Sequence, residues 1–168
     1  MAKAKHTDRV LIAITEFSPV DVLWRAALQR IGDTKMELLA LYFSEDHWQR
    51  AASLPFTREI SRVSGARMEF TRQRAEQLHS EAIDRARELT KRLAAESNRT
   101  FGFEVLSSKD IDRLKEFATG TGSILIATSP ITRLPFFPLI SSLDCRIELV
   151  ELVRAGTAEP AEATDDEN

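Results

Sequence analysis

The stretch Asp8-Arg9-Val10-Leu11-Ile12-Ala13-Ile14-Thr15-Glu16-Phe17-Ser18-Pro19 decides how this chain is read. Val10 to Ile14 is an unbroken apolar run rich in β-branched residues, with no polar alternation. Such a run suits a strand buried on both faces, as in a parallel sheet. A helix start follows: Ser18 is a candidate cap, Pro19 suits the first helical position, and Asp21 lies three residues after Ser18. Val20, Leu23, Trp24, Ala27, Leu28 and Ile31 recur at spacings of three and four, which predicts one apolar helix face. Gly32 stands where a helix favours glycine at its C-terminal end.

The same alternation continues outward. Leu38 to Phe43 predicts a second strand. Glu45 to Ser53 is polar with small residues, Pro55 breaks the chain, and Ile60, Val63 and Phe70 read as loosely helical. Leu78, Ala82, Ala86, Leu89 and Leu93 mark a clearer helix. Phe101 to Leu106 predicts a third strand, and Ser107 and Ser108 are candidate caps for a short helix closed by Gly120 and Gly122. Ile124 to Ala127 is another buried strand, and Arg146 to Val153 predicts the last. Between them, Ser129 to Asp144 carries three prolines and no glycine. This order implies an α/β fold: a doubly wound, open, five-stranded parallel sheet with helices on both faces.

Composition narrows the function classes. The chain has 168 residues, a net charge of -3 and only 6 glycines, where average usage of about 7% would give roughly 12. Glycine phosphate loops are therefore scarce at best. The charge balance does not suit a nucleic-acid-binding domain. From Ala155 to Asn168 there are five acids and no Lys or Arg, which reads as a solvated, disordered tail. The domain reading is a basic extension over 1–8, an α/β domain over 9–153 and an acidic tail over 154–168. Cys145 is the single cysteine, which excludes an intrachain disulfide and fits a reducing compartment. The five apolar residues from Val10 to Ile14 are too few for a secretory core or a membrane span. The expectation is a cytoplasmic protein with no membrane partner.

These residues together resemble the universal stress protein family. The resemblance covers roughly Asp8 to Val153 and rests on six features. They are the first strand with its Ser18-Pro19 helix start, Glu37-Leu38-Leu39-Ala40-Leu41-Tyr42-Phe43, the long charged helix, the Phe101–Phe117 strand-helix unit, Ile124 to Ser129, and Ile147-Glu148-Leu149-Val150. The resemblance implies a Rossmann-like sheet of the adenine nucleotide alpha hydrolase type. ATP-binding members carry an aspartate after the first strand and G-x2-G-x9-G-[ST] after the fourth. Here Thr15 and Glu16 stand at the first position, and the segment from Ser129 to Ser142 holds no glycine. Pro130, Pro135 and Pro138 cannot take positive φ, and each removes an N–H that a phosphate nest would use. ATP or AMP is therefore not expected as a cofactor.

The candidate ligand rim follows from the fold, because open parallel sheets bind ligands beyond the carboxyl ends of their strands. Mapped from the family, it comprises Thr15, Tyr42 and the turn Ala127-Thr128-Ser129; Ser141 and Ser142 stand where the last part of the motif would be. Glu16 can either bond a ribose hydroxyl or simply favour the N-terminal dipole of the next helix. From Arg50 to Arg74 there are six arginines against two acids, so Arg58 and Arg62 are candidate anion ligands on what otherwise reads as a solvated face. His6, His47 and His79 are far apart and show no metal-ligand spacing, so no metal is expected. No catalytic constellation is legible. The last strand, Arg146, Ile147, Glu148, Leu149 and Val150, is an edge through which the family often dimerises, and a homodimer is implied. Glu148 or Glu151 would then face Arg146 or Arg154 of the second copy. The leading expectation is a non-enzymatic regulatory or interaction protein, with a possible protein partner. A sensor of nucleotides or small anions with a non-standard loop is the alternative, and a hydrolase the weakest.

Overall fold

A five-residue apolar run can be covered on both faces only if helices pack on both sides of its sheet. The computed structural model describes residues 7–55, 57–120 and 122–152, and shows this arrangement. The expectations for the acidic tail, and for all but Thr7 and Asp8 of the extension, lie outside the described residues.

Strand β1 (Arg9–Ile14) is central. It pairs in parallel with β2 (Glu37–Phe43) on one side and β6 (Ile124–Thr128) on the other. Beyond them lie β5 (Gly102–Leu106) and β7 (Arg146–Val150), both parallel, so the sheet order is β5-β2-β1-β6-β7. The chain winds outward one way from β1 through β2 to β5, then returns to β6 and moves the other way to β7. The sense reverses between β1 and β6, and right-handed crossovers therefore put the helices of the two halves on opposite faces. Helices α1 (Val20–Ile31) and α3 (Arg72–Glu96) cover the face formed by Val10, Ile12, Ile14, Ala40, Tyr42 and Ile126. Helices α4 (Ile111–Phe117) and α5 (Phe137–Ser141) cover Leu11, Ala13, Leu41, Phe43, Leu125 and Ala127.

Local chemistry explains several boundaries. Gly32 closes α1 at φ +48°, a left-handed conformation that glycine takes without a Cβ clash. Trp24 Nε1 donates to Ser97 Oγ at 3.0 Å, tying α1 to the C-terminal end of α3. Ser18 does not cap α1. Pro19 holds the cap position, while Ser18 Oγ accepts the Thr15 N–H at 2.9 Å and fastens the turn after β1. Ser107 is not a helix cap either. Its N–H and hydroxyl donate to Asp110, the residue at the start of α4, and hold that carboxyl below the usual range.

The segment after β2 departs most from expectation. His47–Ser53 forms a short helix, α2. Ile60, Val63 and Phe70 lie on no helix: Arg58–Ile60 (β3) and Arg67–Glu69 (β4) pair as an antiparallel hairpin. A guanidinium-carboxylate fork from Arg74 to Glu59, at 2.8 and 2.7 Å, anchors this hairpin to the first turn of α3. Thr71 caps that turn by accepting the Arg74 N–H. Ile60 and Val63 are exposed, and only Phe70, just past β4, is buried, so the apolar spacing read as helical reflects a hairpin with no buried face followed by one core residue.

Replacing Ile12, fully buried on β1, with Ala should cost about 2–5 kcal/mol of unfolding free energy in urea titration. Ile60→Ala on the exposed hairpin should stay within about 1 kcal/mol. A small loss for Ile12→Ala would contradict the central placement of β1.

Candidate functional site

The reversal point lies between β1 and β6, beyond their carboxyl ends at Thr15, just past β1, and Thr128, the last residue of β6. A cavity of about 160 Å3 opens there, lined by Thr15, Glu16, Phe17, Ser18, Tyr42, Phe43, Glu45, His47, His79, Thr128, Pro130 and Leu134. Four predicted rim residues, Thr15, Glu16, Tyr42 and Thr128, thus meet in one place. Ala127 is buried in the opposite sheet face below them, and Ser129 is exposed at the start of a 3-10 helix, Ser129–Arg133.

Ser141 and Ser142 do not join them. They end α5 instead of opening a helix, and their hydroxyls donate to Pro138 O and Leu139 O at 2.9 and 2.7 Å. Ser142 lines a different hollow with Asp8 and Gly120, at the opposite end of the strands. Arg58 and Arg62 are exposed on and beside the hairpin, and neither lines the rim cavity. Of the arginine-rich stretch, Arg50 reaches a neighbouring hollow with Ser44, Glu45 and Phe136, and Arg74 is committed to Glu59.

The glycine-free connection closes one side of the rim. Its 3-10 turn places Pro130 and Leu134 on the cavity, and Phe136 follows. The Phe136 ring stacks on Phe43, with centroids 5.0 Å apart and planes 20° apart, and the residue is 8% exposed. Phe137 packs half-buried on the same cluster.

The polar side of the cavity is acidic. Glu16 Oε2 lies 2.9 Å from His47 Nε2, and Glu45 Oε2 lies 3.6 Å from His47 Nδ1, so the imidazole sits between two carboxylates. The α2 helix supplies His47, and α3 supplies His79, whose Nε2 is 3.0 Å from Ser44 Oγ. Tyr42 is 2% exposed, and burial, followed by the Glu16 charge, pushes its phenol up to about 12. Both effects disfavour a phenolate, so the side chain is a hydroxyl at neutral pH.

Sequence reading missed both histidines as rim residues. Thirty-odd positions separate them, and only the packing of α2 and α3 beside β2 brings them together. Glu16 was legible as a rim carboxylate, but its imidazole partner was not. Among the described residues no group of three or more His, Cys, Asp or Glu is arranged to hold a metal ion. Cys145 lies away from the rim cavity, and burial raises its thiol further above neutrality.

Tyr42 is the chain's single tyrosine, so a phenolate absorbance titration reads this site alone. The midpoint should fall near 12 rather than near the ordinary 10. The unfolded phenol ionises first, so unfolding free energy should decline as pH rises from about 10 towards 12. A midpoint near 10 would contradict the buried, carboxylate-flanked hydroxyl.

No protein-family model matches this chain, and no curated protein is significantly similar to it in sequence.

Proposed function

We propose that this chain is a non-enzymatic regulatory or interaction protein of universal-stress-like build, homodimeric and without the usual mode of ATP binding. The observation that carries the reading is the Phe136–Phe43 stack, which fills with aromatic carbon the region beside the rim where a glycine loop would need open backbone. Two further observations support it. A 160 Å3 cavity is well below the ~300–1,000 Å3 of pockets that hold drug-sized ligands. Glu16 and Glu45 place carboxylates where triphosphate oxygens would have to approach, and among the described residues the lining contains no Lys or Arg.

The dimer reading is supported by position. Strand β7 ends the sheet, pairs with β6 on one side only, and leaves Leu149 44% exposed. Unpaired edge N–H and C=O groups invite a second strand. The details differ from the pairing first expected. Glu148 is held within its own protomer, by Arg30 at 2.6 Å and Arg146 at 3.3 Å, which leaves Glu151 as the exposed acid for a cross-dimer pair. Arg154 lies outside the described residues.

A second reading, a hydrolase, has one observation in its favour. Ser44 Oγ and His79 Nε2 stand at the distance of a nucleophile and its base. No carboxylate pairs with His79 among the described residues, so the imidazole lacks the group that orients it in a triad. Purified protein should therefore turn over p-nitrophenyl acetate no faster than its Ser44→Ala variant. A Ser44-dependent rate would favour the hydrolase.

Isothermal titration with magnesium-ATP should show no saturable binding at micromolar protein. A defined stoichiometry would overturn the non-ATP part. Light scattering should report a dimer, and Leu149→Pro, which removes a strand N–H, should give a folded monomer by circular dichroism. A wild-type monomer at high micromolar concentration would remove the dimer.

A further inference from the structure

The rim cavity contains more than two carboxylates. Tyr42 and Thr128 are 2% and 6% exposed, and both line it. Among the described residues the Tyr42 hydroxyl has no hydrogen-bond partner, and Thr128 makes no side-chain cap to the helix it precedes. Neither oxygen is sealed in protein; each keeps access to the space between β1, β2 and β6. Each hydroxyl therefore has its hydrogen-bonding capacity left for water or a ligand in that space. Glu45 Oε1, in contrast, is shielded from solvent without a hydrogen bond.

We infer that this cavity is a binding site for a compact organic cation, with a primary ammonium group held by Tyr42 Oη, Thr128 Oγ1 and the Glu45 carboxylate. An ammonium offers three N–H donors, and these three groups each accept. The remaining lining suits a short alkyl tail: Phe17, Phe43, Pro130 and Leu134 are apolar, and the two rings can also face the charge. The size fits too, since 160 Å3 holds about five water-sized groups.

The charges choose between ligand classes. Glu16 and Glu45 line the cavity, Arg85 acts on Tyr42 from α3, His47 lies between the carboxylates and His79 is bonded to Ser44. An anion would find two carboxylates and, among the described residues, no lining Arg or Lys. A metal ion is a poorer fit, because among the described residues no group of three or more His, Cys, Asp or Glu is arranged to hold one. A larger hollow, about 740 Å3, is a poorer candidate. It lies at the amino ends of the strands, and its arginines are engaged, Arg9 by Glu37 and Arg99 by Gly32 O.

The inference rests on the rim being closed to nucleotide, and its test separates the two. n-Propylammonium chloride is titrated into the full chain and followed by amide chemical shifts, with sodium propionate and 1-propanol at matched ionic strength as controls. Saturable shifts at Thr15, Tyr42 and Thr128 are expected with the amine alone. Tyr42→Phe keeps the ring and Glu45→Gln keeps the shape; each should weaken apparent affinity about tenfold. Equal binding of propionate, no saturable shift with the amine, or wild-type affinity in both variants would overturn the cation site. If neither the amine nor magnesium-ATP binds, the cation site falls and the closed rim stands. If magnesium-ATP displaces the amine, both fall.

Discussion

The fold turns on one constraint, the burial of Val10 to Ile14 from both sides. All five side chains are at most 2% exposed, and their alternation divides the core into two layers. A strand so enclosed must be central, with neighbours on each edge and helices above and below. That forces the chain to leave β1 in one direction and come back past it in the other. The reversal then leaves a crevice at the carboxyl end of β1, where Thr15 and Glu16 are delivered. The position of the candidate site is thus a consequence of five apolar residues well outside it.

What occupies that crevice is decided by the connection from β6 to β7. In a nucleotide-binding sheet this connection would present backbone N–H groups. Here prolines withdraw donors and a 3-10 turn brings Pro130 and Leu134 to the rim. Phe136 then stacks on Phe43. Burying an aromatic side chain contributes about 1.5–3 kcal/mol, and its stacking about 0.5–1.5 more. The segment gains stability by packing Phe136 on Phe43, beside the rim. The remaining cavity is small and acidic, with hydroxyls on its floor, and its chemistry differs in sign from that of a phosphate cradle.

The sheet was legible in the sequence because its signals are local. Continuous apolar runs at Val10, Leu38 and Ile124, with helical periodicity after the first and again from Leu78, leave few other topologies. The rim strand ends were legible for the same reason, which is why Thr15, Glu16, Tyr42 and Thr128 could be named together. Three things were not. The β3–β4 hairpin has no buried face, so its apolar residues carry no period, and the Arg74–Glu59 fork that anchors it spans fifteen positions. His47 and His79 meet the rim only through the packing of two helices. Ser141 and Ser142 were aligned by a motif whose spacing this shorter connection does not keep, and they close a helix at the other end of the strands. In each case the missing information was tertiary.

A double-mutant cycle on Phe43→Leu and Phe136→Leu tests the closed rim most directly. Both substitutions keep an apolar side chain and remove a ring, so the cycle isolates the stack. The account predicts a coupling of about 0.5–1.5 kcal/mol in urea unfolding. Additive losses would mean that the rings do not meet, that the connection after β6 lies elsewhere, and that the rim is open.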